Sequence, residues 1–431
     1  MPVRRTLVPA LAALLLPLFV PAPAAGNAST PTSALSSHIQ HVVVLMQENR
    51  SFDSYFGKLH FEGQPKVEAE PANASNPNPL DPNGPPIAAY HKTNYCEVAD
   101  LDHSWTGAHA EYDNGRMDGF TAANAVSADP TGSRTMGWYD RKDLPFYYSL
   151  YSTFATNDRY FSSVLSQTFP NRFYLLAGTS FGHIRNDLPP ADGFTQPTVF
   201  NLLDAAGITW RIYYSQIPFA YEFSYVRDHA PGNVVPIDQY YADAAAGTLP
   251  QVSFIDPIFI SQANTETDEH PCSNIQVGEQ FVANVTNALF ASPDWSSTAM
   301  FLTYDENGGF YDHVAPPSAP VPDGIPPMLK AGDTPGAFDR YGFRVPVAVI
   351  SPYTKPHFVS HVVEDHTSIL RFIETRFGLP SLTNRDANAN PMLEYFDFSH
   401  AAFATPPALP AAPLDPAQFA ACMNAPPPGG F

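Results

Sequence analysis

The chain is organised around residues 41–57, which read HVVVLMQENRSFDSYFG. Val42 to Met46 form a continuous apolar run that starts with three β-branched residues, which is typical of a strand buried on both faces of a parallel sheet. The run stops at Gln47 and is followed at once by Glu48 and Asn49. A carboxylate and an amide are therefore predicted at the carboxyl end of a core strand, where open α/β sheets bind their ligands.

The same arrangement recurs in residues 299–313, which read AMFLTYDENGGFYDH. An apolar run leads into acidic residues, and Gly308 and Gly309 then allow the backbone to turn tightly. If the two strands are close together in one sheet, we expect four oxygen donors to converge on a single cation. These donors are Glu48, Asn49, Asp305 and Glu306.

Helices and strands alternate along the second half of the chain. The predicted strands are ITWRIYY, VSFIDPIFI, AMFLTYDENGG and VPVAVISPY, and the predicted helices between and after them include GEQFVANVTNALFASP and DHTSILRFIETRFG. This alternation predicts an α/β fold with a mostly parallel central sheet covered by helices on both faces. The 431 residues, 44% of them hydrophobic, are ample for one large domain.

The N-terminus has the pattern of a secretory signal peptide, predicted at residues 1–25. Arg4 and Arg5 precede an apolar stretch that is shorter than a membrane-spanning helix needs, and PAPAAG supplies small residues near the expected cleavage site. The arginine pair also permits a twin-arginine route besides the general secretory one. We expect a secreted or periplasmic protein without stable membrane insertion, whose catalytic domain spans residues 26–400.

Charge and cysteine content exclude several partners and clusters. The formal net charge of -20 is unfavourable for binding nucleic acid or an anionic membrane. Cys96, Cys272 and Cys422 are too far apart in sequence to indicate a metal cluster. A single disulfide is compatible with an oxidising compartment, with Cys96 to Cys272 as the candidate pair. The oligomeric state is left open.

Two segments lack the periodicity of helices and strands. Residues 62–95 are rich in Pro and Asn and are interpreted as a long loop insertion, either a functional cover or a floppy excursion. Residues 401–431 are rich in Pro and Ala and are interpreted as a tail, either an extended strap or disordered.

Two further polar motifs have both a structural and a functional interpretation. Residues 100–120, DLDHSWTGAHAEYDNGRMDGF, carry His103, which is either an ordinary satisfied histidine or part of a site. Residues 162–182, SSVLSQTFPNRFYLLAGTSFG, predict a helix with Pro170 in its first turn and Gly178 as its C-terminal cap. Thr168 is then at the helix N-terminus, where it is either a simple N-cap or part of a phosphate site.

The motifs ENRSFDSYFG, DLDHSWTGAH, QTFPNRFYL, TDEHP and TYDENGGFYDHVAPP occur in this order between Ile39 and Leu379. Together they resemble the phosphoesterase family of bacterial phospholipases C and related acid phosphatases, in the alkaline phosphatase superfamily. The resemblance implies a three-layer α/β/α sandwich and metal-dependent hydrolysis of phosphoric esters through a covalent phospho-enzyme.

The resemblance also assigns roles to individual residues. Thr168 matches the nucleophile, which contacts the metal as well. His103 and His270 match histidines that contact the phosphoryl group, and His313 is a weaker match. The metal ligands implied are Glu48, Asn49, Asp305 and Glu306, around one divalent ion that is Ca²⁺, Mg²⁺, Mn²⁺ or Zn²⁺.

The sequence is compatible with several functions. The leading prediction is a secreted phospholipase C that cleaves phosphatidylcholine-like lipids through a phosphothreonine. The alternative is a broad-specificity acid phosphatase acting on phosphomonoesters. A sulfatase, suggested by the T-x-P-x-R pattern from Thr168 to Arg172, is disfavoured because threonine would not yield the aldehyde that sulfatases need. A secreted non-enzymatic binding protein is a distant alternative, since it would leave the four oxygen donors without a role.

Overall fold

The computed structural model describes residues 1–2 and 31–426. Apart from its first two residues, the predicted signal peptide lies outside the described residues. The strands within residues 31–426 are β1 (His41–Gln47), β2 (Ser75–Asn76), β3 (Ile87–Ala88), β4 (Tyr90–His91), β5 (Gly137–Trp138), β6 (Ala155–Asn157), β7 (Tyr160–Phe161), β8 (Trp210–Tyr214), β9 (Val234–Pro236), β10 (Val252–Asp256), β11 (Thr298–Tyr304), β12 (Val347–Ile350), β13 (Phe358–Ser360) and β14 (Glu364–Asp365).

The α-helices of the same range are α1 (Pro31–His38), α2 (Phe52–Phe56), α3 (Trp105–Tyr112), α4 (Phe120–Ala123), α5 (Pro145–Thr153), α6 (Thr168–Ala177), α7 (Val199–Ala205), α8 (Ile237–Ala246), α9 (Ile275–Phe290), α10 (His366–Phe377), α11 (Asn384–Ala387) and α12 (Pro416–Cys422). Of these described helices, none has the length and apolar character that crossing a bilayer requires.

Eight strands form the main sheet, in the order β13-β6-β12-β11-β1-β10-β8-β9. All neighbours are parallel except those of β12, which runs antiparallel to both β11 and β6. Hydrophobic patterning predicts a strand at β12 but carries no information on its direction. The predicted mostly parallel sheet is confirmed.

Helices cover both faces of this sheet. The helix α6 packs against α7 and α10, and α9 packs against α5 and α8. The strands β1 and β11 are buried along almost their whole length, so both of their faces are covered. The three-layer α/β/α prediction is therefore confirmed.

The two strands that lead into acidic motifs are direct neighbours. They are parallel, with Val44 opposite Phe301 and Gln47 opposite Tyr304. Because the strands end at the same level, Glu48 and Asn49 leave the sheet beside Asp305 and Glu306. The condition for the predicted convergence, two strands close together in one sheet, is thus met.

The disulfide joins Cys96 to Cys422, and Cys272 is a buried free cysteine. The expected pairing of Cys96 with Cys272 is therefore wrong. The reason is that the C-terminal tail folds back onto the domain and forms the helix α12, which carries Cys422. Gln418 of this helix donates a hydrogen bond to the carbonyl of Thr93, close to Cys96. A Pro/Ala-rich composition gave no sign of this return.

The loop insertion at residues 62–95 contains the short strands β2 to β4 and is tied to the domain by its acidic residues. Glu70 forms an ion pair with Lys58, with 2.6 Å between Nζ and Oε2. The backbone amide of Glu68 donates to Asp158 over 2.8 Å. These bonds fix the start of the insertion against the core.

Candidate active site

The site begins where β1 and β11 end in tight turns. Asn49 has a positive φ of 59°, and its backbone amide donates to Oδ1 of Asp305 over 3.0 Å. Gly308 has a φ of 61°, and a Cβ at this position would lie 2.5 Å from the carbonyl oxygen of Asn49. Only glycine therefore allows the two turns to approach so closely.

Thr168 contacts the first of these turns. Its hydroxyl donates a hydrogen bond to Oε1 of Glu48 over 3.0 Å, and its side chain is buried. The N-cap of α6 is Gln167, and Thr168 is the first helical residue. The simple N-cap interpretation is therefore wrong, because the hydroxyl serves a carboxylate on a neighbouring strand instead of the helix backbone.

The first turn of α6 offers fewer free amides than expected for a phosphate site. The amide of Phe169 donates to Oδ1 of Asn186 over 2.9 Å, and Pro170 has no N–H. The amide of Asn171 donates to the carbonyl of Gln167. Residues 169–171 therefore offer no free backbone amide to a phosphate.

Arg172 is a central residue of the site that sequence reasoning noted only as part of a sulfatase-like pattern. Its Nε donates to Oδ2 of Asp305 over 3.0 Å, and its NH2 lies 3.5 Å from Oε2 of Glu48. It follows Thr168 by four residues, so both project from one face of α6. The four-residue spacing on a predicted helix could therefore have indicated that Arg172 lies beside Thr168.

The site contains more buried carboxylates than Arg172 can neutralise. Burial raises the pKa of Glu48, although the Arg172 guanidinium lowers it. Burial likewise raises the pKa of Asp305 to about 6, although the Arg172 guanidinium lowers it. Burial raises the pKa of Glu306 well above its usual range, although the nearby His103 lowers it. A cation at this position would relieve the excess of negative charge.

His103 and His270 lie beside each other, with ring centroids 6.1 Å apart. Nδ1 of His103 is 2.8 Å from the carbonyl of Leu101, and Nδ1 of His270 is 3.1 Å from that of Pro271. These bonds leave both Nε2 atoms available for the site. Nε2 of His103 is 3.8 Å from Oε1 of Glu306, so the structure brings this pair to the acidic turn.

The two histidines have opposite electrostatic surroundings. Burial lowers the pKa of His103, but the Glu306 and Asp100 carboxylates outweigh it and raise the value to about 10. Burial lowers the pKa of His270 and outweighs the Asp100 carboxylate, which raises it. The pKa values of the two histidines are therefore shifted in opposite directions.

His313 belongs to a different group of charges. Its Nδ1 is 2.6 Å from Oδ2 of Asp53, and its Nε2 is 3.2 Å from Oε1 of Glu68. Arg344 bridges Asp53 and Asp312 beside it. Among the contacts described for His313, none joins it to Thr168, Glu48 or the other two histidines.

Asp268 links His270 to Glu48, the residue that follows β1. In the sequence, Asp268 was noted only as part of the TDEHP motif. Its carbonyl accepts the amide of Glu48 over 2.8 Å, and its Oδ1 accepts the amide of His270 over 3.0 Å. The neighbouring Glu269 is anchored by the hydroxyls of Tyr55, at 2.6 Å, and Tyr304, at 3.0 Å. Such long-range contacts cannot be read from a single motif.

His366 supports the second strand end and was missed entirely. Its Nε2 is 2.7 Å from the carbonyl oxygen of Asp305, and it is buried at the start of α10. Burial lowers the pKa of His366 to about 3, so the imidazole is neutral and can donate this bond. Its sequence context, the second residue of the predicted helix DHTSILRFIETRFG, gave no signal of a role at the site.

The residues of the site fit a divalent metal ion by donor chemistry. Oδ1 and Nδ2 of Asn49 and Oε1 of Glu306 are buried without a hydrogen-bond partner among the described residues. Buried polar atoms are rarely left unpaired, and these adjoin the Glu48 and Asp305 carboxylates. An oxygen-only donor set suits Ca²⁺, Mg²⁺ or Mn²⁺.

Three sets of carboxylates and imidazoles in the described chain have ligand atoms within 4.8 Å of one another. They are Asp100 with His103 and His270, Asp53 with Asp312 and His313, and His91 with Asp140 and Asp143. The predicted carboxylates Glu48, Asp305 and Glu306 do not form such a set, and Arg172 pairs with two of them.

Comparison with known proteins shows that the chain is a hydrolase acting on phosphoric esters. The chain belongs to the Phosphoesterase family, whose model matches residues 39–380. Phospholipase C B of Mycobacterium tuberculosis is 33% identical over 420 residues, covering 84% of this chain and 78% of that protein. Non-specific phospholipase C1 of Arabidopsis thaliana is 34% identical, covering 83% and 71%. The predicted family resemblance is confirmed, and a non-enzymatic binding protein is set aside.

A solved structure of a protein in the alkaline phosphatase superfamily from Vibrio parahaemolyticus is a more distant match. It is 11% identical, with a TM-score of 0.35 over 77% of each chain. This likeness is too weak to carry an argument, and the assignment rests on the sequence relatives.

Proposed function

We propose that the protein is an exported, metal-dependent phospholipase C that cleaves phosphatidylcholine-like lipids, with Thr168 as the nucleophile. The observation that carries the proposal is the hydrogen bond from the Thr168 hydroxyl to Glu48, at the point where two acidic strand ends meet. A buried hydroxyl held by a carboxylate beside other oxygen donors is an activated nucleophile in a phosphoryl-transfer site.

In the first step, Oγ1 of Thr168 attacks phosphorus. The new bond forms while the bond from phosphorus to the glycerol oxygen breaks, which leaves phosphocholine esterified to Thr168. Glu48 accepts the hydroxyl hydrogen of Thr168 in the resting site and so provides a path for this proton. Arg172 holds the Glu48 and Asp305 carboxylates in position during the step.

The metal would be held by Glu48, Asn49, Asp305, Glu306 and Thr168. When bound, a divalent ion lowers the pKa of a hydroxyl that it contacts and neutralises charge on the phosphoryl oxygens. The unpaired amide of Asn49 supports this ligand set.

His103 and His270 are the candidates to protonate the departing alcohol. Both imidazoles have Nδ1 engaged by a backbone carbonyl, which leaves Nε2 to donate or accept a proton. The partner that is not the acid would hydrogen-bond the phosphoryl oxygens. His313 ranks behind them because its contacts are with Asp53 and Glu68. Water then attacks the phosphorus of the phosphocholine ester on Thr168. The bond from phosphorus to Oγ1 breaks, phosphocholine is released, and a proton from the water restores the hydroxyl of Thr168.

The substrate class is inferred from relatives and from charge. The curated relatives named above are phospholipases C, and the formal charge of -20 favours a zwitterionic over an anionic head group. The Cys96–Cys422 disulfide supports export to an oxidising compartment, as the N-terminal sequence predicts.

Product analysis tests this function. Purified protein is incubated with phosphatidylcholine and, separately, with a simple phosphomonoester, each with and without chelator. We expect diacylglycerol and phosphocholine from the lipid, and loss of this activity with chelator. Release of inorganic phosphate from the monoester, with no diacylglycerol from the lipid, would favour the acid phosphatase alternative instead.

A further inference from the structure

An exposed apolar surface adjoins the start of α6. It is formed by Leu188 on one loop and by Ile325, Met328 and Leu329 on another, and we call it the rim patch. Leu188 is 76% exposed, Met328 44% and Leu329 42%. Large apolar side chains grouped on a soluble surface indicate a binding site for a protein or a membrane.

The rim patch is connected to the proposed nucleophile through two hydrogen-bonded loops. Asn186 accepts the amide of Phe169 over 2.9 Å, next to Thr168 and two residues before Leu188. The amide of Met328 donates to the carbonyl of Gly182 over 2.8 Å, which joins the second loop to the first. The patch therefore lies at the edge of the proposed site and not on a remote face.

The second loop is held in a fixed conformation although it is rich in proline. The hydroxyl of Thr179 donates to Asp323, and the amide of Asn384 donates to the carbonyl of Pro322 over 2.9 Å. Arg385, which is buried, donates from Nε to the carbonyl of Pro320. Because these hydrogen bonds anchor the backbone of the loop, the side chains of Ile325, Met328 and Leu329 are exposed in the native fold.

We propose that the rim patch inserts into the surface of a zwitterionic phospholipid bilayer and brings the site to its lipid substrate. The proposal rests on the proposed phospholipase function. Short apolar side chains on loops reach the boundary between head groups and acyl chains without spanning the membrane, and affinity follows the apolar area that they bury. The lipid phosphate lies at the same depth, so a patch beside Thr168 suits that geometry.

Charges of both signs lie beside the rim patch, which suits a zwitterionic head group better than an anionic one. Lys330 directly follows Leu329, is 67% exposed at its side chain, and lies 3.9 Å from Asp187. A lysine at the edge of an inserted patch can pair with lipid phosphate while its stem contacts apolar groups. The formal charge of -20 disfavours a strongly anionic bilayer as the partner.

The test uses a double variant, Met328→Ser with Leu329→Ser, and a control, Phe61→Ser. Phe61 is 71% exposed on a separate short helix, so it loses a similar apolar area away from the rim patch. Binding is measured by co-sedimentation with phosphatidylcholine vesicles, with Thr168→Val added to every protein so that the vesicles are not consumed. We expect the double variant to bind about tenfold more weakly and the control to bind normally.

Turnover is measured with Thr168 intact, on phosphatidylcholine vesicles and on soluble p-nitrophenylphosphorylcholine. The double variant should lose vesicle activity and keep the rate on the soluble ester. Unchanged vesicle affinity would overturn the proposal, as would a change from dimer to monomer with vesicle binding intact, which would make the patch an interface between copies. If the unaltered protein hydrolyses neither substrate, the proposed function fails, and co-sedimentation still decides the rim patch independently.

Discussion

The hydroxyl of Thr168 donates to Oε1 of Glu48 over 3.0 Å, although 120 residues separate the two in sequence. The bond joins the first residue of α6 to the residue that follows β1. It brings two motifs of the sequence into one site and gives the threonine hydroxyl a carboxylate partner. The proposed role of Thr168 as the nucleophile depends on this contact.

Replacing Thr168 by valine should remove turnover while leaving the fold intact. Valine has nearly the same shape but no hydroxyl, so we expect kcat to fall at least about 10³-fold. Thr168→Ser should keep part of the rate because it retains the oxygen. Steady-state kinetics measure the loss, and thermal unfolding controls for stability. Near-normal rates for Thr168→Val would remove the residue from the mechanism.

Replacing the histidine that protonates the leaving alcohol should slow esters with a poor leaving group more than esters with a good one. An alkoxide needs a proton to leave, whereas p-nitrophenolate leaves without one. Replacing the acid, His103 or His270, by alanine should therefore slow alkyl phosphoric esters about 10²-fold or more, and p-nitrophenyl esters much less. Rates on the two esters are compared for each variant, with His313→Ala as a third. Equal losses on both esters would assign that histidine to holding the phosphoryl oxygens.

The affinity for a divalent metal ion should depend on Glu306, and this affinity can be measured without an activity assay. Treatment with chelator should abolish turnover and lower the unfolding temperature, and a hard divalent ion should restore both. In isothermal titration, Glu306→Gln should weaken binding of that ion about tenfold or more, because a charged ligand is lost. Glu279→Gln is the matched control, since Glu279 is a buried carboxyl of α9. Equal metal affinity in both variants would contradict the ligand assignment.

The sequence predicted which residues form the candidate site but not all of their contacts. Glu48, Asn49, Asp305 and Glu306 were predicted to converge because apolar runs stop abruptly at polar residues, and strand ends of a parallel sheet share one edge. The central position of Arg172 depends on how α6 packs over β1, which no local pattern encodes.

The same limit explains the disulfide and the direction of β12. Cys96 and Cys422 are 326 residues apart, and the Pro/Ala-rich tail that brings them together has no periodicity to interpret. The four apolar residues of β12 are compatible with a parallel or an antiparallel strand. Only the pairing of β12 with β11 and β6 fixes its direction.

The ion cluster around His313 should make stability depend on pH. Burial lowers the pKa of His313, but Asp53 outweighs it and raises the value to about 9. The pKa is thus higher in the folded than in the unfolded state, where it is about 6.5. The stabilisation is fully present below about pH 6.5 and is lost as pH rises through about 9.

Chemical denaturation from pH 6 to 10 measures this effect. The free energy of unfolding should fall across the window by an amount on the order of 2–3 kcal/mol. His313→Gln should be less stable at pH 6 and should flatten this part of the profile. A variant that keeps the slope of the unaltered protein would show that another group titrates.

The most direct test of the account is the mass of the Thr168 peptide during turnover. The protein is mixed with phosphatidylcholine, quenched with acid within milliseconds, digested and analysed by mass spectrometry. We expect phosphocholine attached to Thr168 in the unaltered protein and no adduct in Thr168→Val. An adduct on another residue, or an unmodified Thr168 peptide during a burst of diacylglycerol release, would contradict it.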